Sequence, residues 1–141
     1  MRAGFDLDGC LDKPALRDLA LALLSAGHDV YIITGIFDEA GAWQSAEAKF
    51  KKLGRLGIPF VWIRNDDEDL AWHSKVPNPA KLITLHAVDK SFALDYRLRD
   101  LGLRKAVVTE QLGIDLFLDD SKTYMEVMPA MNGGVTLLHV R

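Results

Sequence analysis

Cysteine is almost absent from this chain: among its 141 residues only Cys10 is one. A lone thiol forms no internal disulfide, and no cysteine cluster is available for zinc. The four histidines, His28, His73, His86 and His139, are scattered without metal-ligand spacing. Positive charge is not in excess either. The formal net charge of −3 provides no electrostatic footprint for a nucleic-acid backbone or an anionic membrane. No run approaches the roughly 20 apolar residues that a membrane-crossing helix needs, and the N-terminal stretch meets Asp6 and Asp8 before a signal-peptide core can build. Internal repeats, low-complexity segments and linkers are missing as well. These absences lead us to expect a cytoplasmic protein with no membrane association, residues 1–141 forming a single domain long enough for a full core.

What is present is an alternation of apolar strands and amphipathic helices. Residues 3–5 read as a short buried strand. Asp12 ahead of Lys13-Pro14 is a helix N-cap signal, and Leu16, Leu19, Ala20, Leu23 and Leu24 recur at helical spacing up to Gly27. Residues 30–33 have the β-branched and aromatic character of a buried parallel strand, which ends in Thr34-Gly35. A second helix is expected over 38–53, closed by Gly54, with Trp43, Ala46 and Phe50 on one face and Trp43 packed on the sheet. Residues 60–63 are a third strand.

The stretch from 64 to 79 carries the acidic run 65–69, read as solvated loop and not as a second metal site. Trp72-His73-Ser74-Lys75 follows. Residues 81–85 read either as a short strand or as the start of a helix. Helices are expected over 89–101 and 103–112, a strand over 114–118, a helix over 123–131 and a last strand over 135–140. Such alternation predicts an α/β domain with a mostly parallel sheet, whose ligands sit beyond the carboxyl ends of the strands.

Acids collect at those ends. Asp6 and Asp8 follow the first strand at i and i+2, a spacing that can project both carboxylates to one side. Two acids so close repel unless a cation or a shared proton reconciles them. Mg²⁺ suits them, since it takes oxygen ligands and keeps waters for a phosphate, and a carboxylate beside it can attack phosphorus. Gly9 lets the backbone turn tightly behind them. Asp119 and Asp120 close another apolar strand, where a Mg²⁺ shared with Asp6 would neutralise them. Thr34 and Gly35 can offer a hydroxyl and a backbone N–H to a phosphate oxygen. A fixed lysine is also wanted against developing phosphoryl charge, and Lys75, Lys81, Lys90 and Lys105 are candidates. Cys10, beside the acids but with no histidine near it in sequence, is read as a small structural residue.

The apolar run leading into Asp6-Leu7-Asp8-Gly9 resembles motif I of the haloacid dehalogenase (HAD) superfamily of phosphohydrolases. Thr34 at its strand end resembles motif II, and Asp119-Asp120 resembles motif IV. The segment from Lys105, fourteen positions before Asp119, looks like the motif III to motif IV segment of compact members, which assigns the lysine role to Lys105 with Lys90 and Lys81 in reserve. The motifs occur in family order between residues 5 and 121.

The resemblance implies a HAD-like fold, a Rossmann-like three-layer sandwich, and a Mg²⁺-dependent phosphomonoester hydrolase, a phosphatase working through an aspartyl-phosphate. Asp6 is then the nucleophile and Asp8 the acid and base. Asp6, the backbone carbonyl of Asp8, Asp119 and Asp120 hold the metal, and Thr34, Gly35 and Lys105 hold phosphate. Two features depart from the pattern. The flap after motif I is nearly missing, and residues 64–102 exceed the minimal fold without making a full cap. That segment is read as a lid, an added strand and helix, or a homodimer contact, with Trp72, His73 and Lys75 as candidate substrate contacts.

The expected substrate is a small phosphate ester such as a nucleotide, and an open site also admits a nucleic-acid end or a phosphoprotein. Two other readings compete. One is a phosphate-accepting receiver-like signalling module, disfavoured because its acceptor Asp follows a later strand. The other is a HAD-like domain that binds partners without turnover.

Overall fold

The computed structural model describes residues 1–36, 42–64, 67–73, 83–89, 98–122, 125–126 and 133–141. Seven strands form one sheet: β1 (Arg2–Phe5), β2 (Asp29–Ile36), β3 (Phe60–Arg64), β4 (Asp67–His73), β5 (Ile83–Asp89), β6 (Leu116–Asp119) and β7 (Thr136–His139). Their spatial order is β4-β3-β5-β2-β1-β6-β7. All neighbours pair parallel except β3 and β4, which are antiparallel at one edge. The helices are α1 (Pro14–Ser25), α2 (Ala42–Arg55) and α3 (Leu98–Gln111). The chain is thus an α/β protein with a mostly parallel sheet, as its alternating pattern predicts. Among the described residues no helix is long and apolar enough to cross a membrane.

Strand alternation sends successive side chains to opposite faces, and two apolar layers result. On one face Phe5, Ile32, Phe60 and Leu118 pack with Ala20 and Leu24 of α1 and Phe50 and Leu53 of α2. On the other, Ile33 and Phe117 pack with Ala106 of α3, Ile114 and Met125. The rings of Phe50 and Phe60 stack with centroids 5.5 Å apart. Each fully buried Leu, Ile or Phe stabilises the fold by about 1.5–3 kcal/mol relative to exposure, so these layers hold the sheet and fix which strand ends lie together.

Several boundaries differ from those expected. Lys13, not Asp12, is the residue before α1, and it makes no side-chain cap. The Asp12 carboxylate instead accepts the Gly9 N–H at 2.8 Å. α2 passes through Gly54 and ends at Arg55, because the left-handed residue that closes it is Gly57, at φ 69°. β2 runs on through Thr34-Gly35 to Ile36, since β5 pairs with it as far as Ile36 opposite Asp89.

Of the stretch 81–85 the described residues 83–85 are strand, part of β5, and Asp89 ends it instead of starting a helix. Residues 98–111 are one helix that continues through Gly102, not the ends of two. The acidic run, expected as loop, feeds β4 from Asp67. A charged edge strand is a common natural arrangement, because charge discourages pairing with another chain. Of the helix expected over 123–131, only residues 125–126 are described, and they are helical.

Candidate functional site

β1 and β6 are neighbours in register, Phe5 opposite Leu118. The residue after each is an aspartate, so the sheet itself brings Asp6 and Asp119 side by side. The Asp6 N–H donates to the Leu118 carbonyl at 2.9 Å, which extends the ladder one step and anchors the start of the turn. Asp6 is 7% exposed and Asp119 is fully buried. Burying two carboxylates is costly unless each is paired.

Lys105 supplies the pairing. Its Nζ, on α3 and itself 2% exposed, donates to Asp6 Oδ1 and to Asp119 Oδ2, each at 3.0 Å. The second Asp119 oxygen accepts the Ser121 N–H at 2.8 Å. Burial opposes a charged Lys105, yet the two facing carboxylates outweigh it and raise its pKa. For Asp6 burial wins: it lifts the carboxyl from 3.8 to about 7, with Lys105 pulling down and Asp119 and Asp120 pushing further up.

Asp120 completes the acidic group. One oxygen from each of Asp6, Asp119 and Asp120 lies within 4.8 Å of the others. The donor set is all carboxylate, the hard oxygen chemistry that Mg²⁺ prefers, so the residues fit the ion. Gly9 is required beside it. Its φ is 76°, and a Cβ built there would stand 2.1 Å from Asp120 Oδ2. Any other residue here would be strained by that φ and would have to push the Asp120 carboxylate aside.

The turn Leu7–Leu11 separates the other expected acid from the group. Asp8 sits at φ −72°, ψ 128°, just before left-handed Gly9, and alternation along the strand no longer applies once β1 has ended at Phe5. Its side chain does not join Asp6. It binds Lys49 on α2 and, through Oδ1, Lys52 at 2.7 Å. Burial pushes the Asp8 carboxyl up, but the hydrogen bonds and charges of those two lysines prevail and hold it below the usual carboxylate value. Lys52 also reaches Asp12 at 2.7 Å.

Thr34 is buried, 2% exposed. Since Phe5 pairs with Ile32, Thr34 lies two positions further along, at the same end of the sheet as Asp6, and Gly35 is buried next to it. Cys10 is fully buried, its Sγ 3.7 Å from the Leu118 carbonyl. Burial and the nearby acids push its thiol up to about 12, which removes it as a nucleophile. Trp72 and His73 belong to edge strand β4, opposite Trp62 and Val61, with β3 and β5 between it and β2. Lys75, Lys81 and Lys90 lie outside the described residues.

Sequence reasoning missed Lys49 and Lys52. In an amphipathic helix they read as a solvated face, and the signal that could have found them is their place flanking Phe50 and Leu53, which face the core. No family model matches the chain, and no curated protein matches it.

Proposed function

We propose that this protein is a Mg²⁺-dependent phosphomonoester hydrolase with a HAD-like, Rossmann-like three-layer fold, acting through an aspartyl-phosphate on Asp6. One observation carries the reading: Lys105 bridges Asp6 and Asp119 at the carboxyl ends of adjacent parallel strands, with Asp120 close enough to share a cation with them. Parallel α/β sheets bind ligands at that end.

Asp6, Asp119, Asp120 and the Asp8 carbonyl would hold Mg²⁺, which would supply positive charge to the phosphate oxygens. The Asp6 carboxylate attacks phosphorus, forming the Asp6–P bond as the ester P–O bond breaks, and Asp8, once it has left Lys49 and Lys52 and taken up a proton, gives that proton to the leaving oxygen. Water then attacks phosphorus, Asp8 takes its proton, and Asp6 is released. Lys105 and Thr34 hold phosphate oxygens, with the Gly35 N–H beside them. A small phosphate ester such as a nucleotide is the proposed substrate class.

A second reading, a HAD-like domain that binds without turnover, has one observation in its favour: Asp8 is paired with lysines instead of facing the acidic group. Hydrolysis of p-nitrophenyl phosphate in Mg²⁺ and in EDTA, by wild type and Asp6→Asn, separates the two. Metal-dependent turnover that falls by at least about a thousandfold in the variant is expected, because an amide is a poor nucleophile. Equal turnover in both proteins would dismiss Asp6 as the nucleophile.

A further inference from the structure

Three ammonium groups converge on the turn between Asp6 and α1, and the chemistry above uses none of them. Lys13 donates to the Gly9 carbonyl. Lys49 binds Asp8 Oδ2. Lys52 lies 2.7 Å from Asp8 Oδ1 and 2.7 Å from Asp12 Oδ1. Lysines ordinarily extend into water, but Lys49 and Lys52 keep only 16% and 21% side-chain exposure. Phe50 and Leu53, next to them in sequence, are anchored in the core, so α2 fixes the lysine stems at the rim of the site. Lys49 and Lys52 thus hold two ammonium groups at the edge of the proposed phosphate site, each paired only with carboxylates of the Asp8–Asp12 turn among the described residues.

Resting on the hydrolase reading, we propose that Lys49 and Lys52 form a second anion-binding site. It takes another phosphate or carboxylate of the same substrate, and in doing so frees Asp8 to turn to the reacting phosphate. The Asp8 side chain is 52% exposed, so solvent and a small anion reach these pairs from the Asp8 side. Two residues of chain span at most about 7 Å, so the second anion stands no further from the reacting phosphorus than that span plus the reach of the two side chains. The substrate class is therefore a small phosphomonoester with a second anionic group a few bonds away, such as a bisphosphate. Esters that carry only the reacting phosphate leave Asp8 clamped and turn over slowly.

The test compares kcat/KM for adenosine 3′,5′-bisphosphate and adenosine 5′-monophosphate in wild type, Lys49→Gln, Lys52→Gln and Lys52→Arg, each shown to be folded by circular dichroism. Wild type should favour the bisphosphate by on the order of tenfold, equivalent to about 1.4 kcal/mol. That ratio should fall towards one in both Gln variants and persist in Lys52→Arg, which keeps the charge. A wild-type ratio near one, or a ratio unmoved by the Gln substitutions, overturns the proposal. If wild type hydrolyses neither nucleotide nor p-nitrophenyl phosphate, the hydrolase reading fails instead, and calorimetric binding of the same nucleotides decides the anion site. Tighter binding of the bisphosphate that is lost in Lys49→Gln supports it, and equal binding of both by wild type overturns it.

Discussion

Lys105 and Asp6 hold opposite ends of one electrostatic problem. The structure buries two carboxylates under one ammonium, and burial raises Asp6 to about 7. Folded Asp6 therefore binds its proton more tightly than unfolded Asp6 at 3.8, and stability must fall as pH rises through that interval. In EDTA, urea unfolding of wild type should show decreasing stability from pH 5 to pH 7.5. Mg²⁺ should reverse the trend, since it favours the charged carboxylates. Lys105→Met removes the one cation seen between the acids, and breaking a buried pair costs about 3–5 kcal/mol. That loss should be larger at pH 7.5 than at pH 5, where protons replace the ammonium. Equal losses at both pH values would show that Lys105 acts through packing and not through its charge.

At the scale of elements, β1 is the strand that everything else is set against, and Gly4 shows how tightly. A Cβ there would lie 2.9 Å from Phe117 Cδ2 and 3.4 Å from both Ile114 Cγ2 and Ile33 Cδ1. Those neighbours are core side chains with nowhere to retreat. Gly4→Ala should destabilise by about 1–3 kcal/mol in chemical denaturation, the usual range for overpacking, even though alanine suits a strand no worse than glycine does. No change would mean that Phe117 can shift its ring. The same tightness explains what could be read of the elements in advance. Buried apolar runs such as those of β1, β2 and β6 show themselves by composition. The strands at 67–73 and 83–89 do not: one is charged because it lies at an edge, and the other owes its conformation to lying between β2 and β3. The single α3 was hidden for a similar reason, because a helix interior tolerates Gly102 once its neighbours are packed.

For the whole molecule, the strand order makes stability uneven. β1 and β2 have paired neighbours on both sides and core on both faces, whereas β4 and β7 are edges, and Leu138 on β7 is 47% exposed. Local opening frees strands with few buried contacts first. In native-state hydrogen exchange the amides of β4 and β7 should exchange well before those of β1 and β2, whose protection should approach the global unfolding free energy. Uniform protection across the sheet would contradict this order.

The sequence alone determined the α/β class, the central apolar strands and the residue types at their carboxyl ends, because periodicity and composition are local properties. It also singled out Asp6, Thr34, Lys105 and Asp119; the sheet register puts Asp6 next to Asp119, α3 brings Lys105 between them, and Thr34 lies at the same end of the sheet. Only the tertiary structure decided where Asp8 goes. Its two-residue spacing from Asp6 reads as a shared face, yet the strand ends before it, the turn through Gly9 redirects it, and α2 meets it with two lysines from more than forty positions away. Charge acts across space without regard to chain separation, and no local pattern records which helix will lie beside which turn.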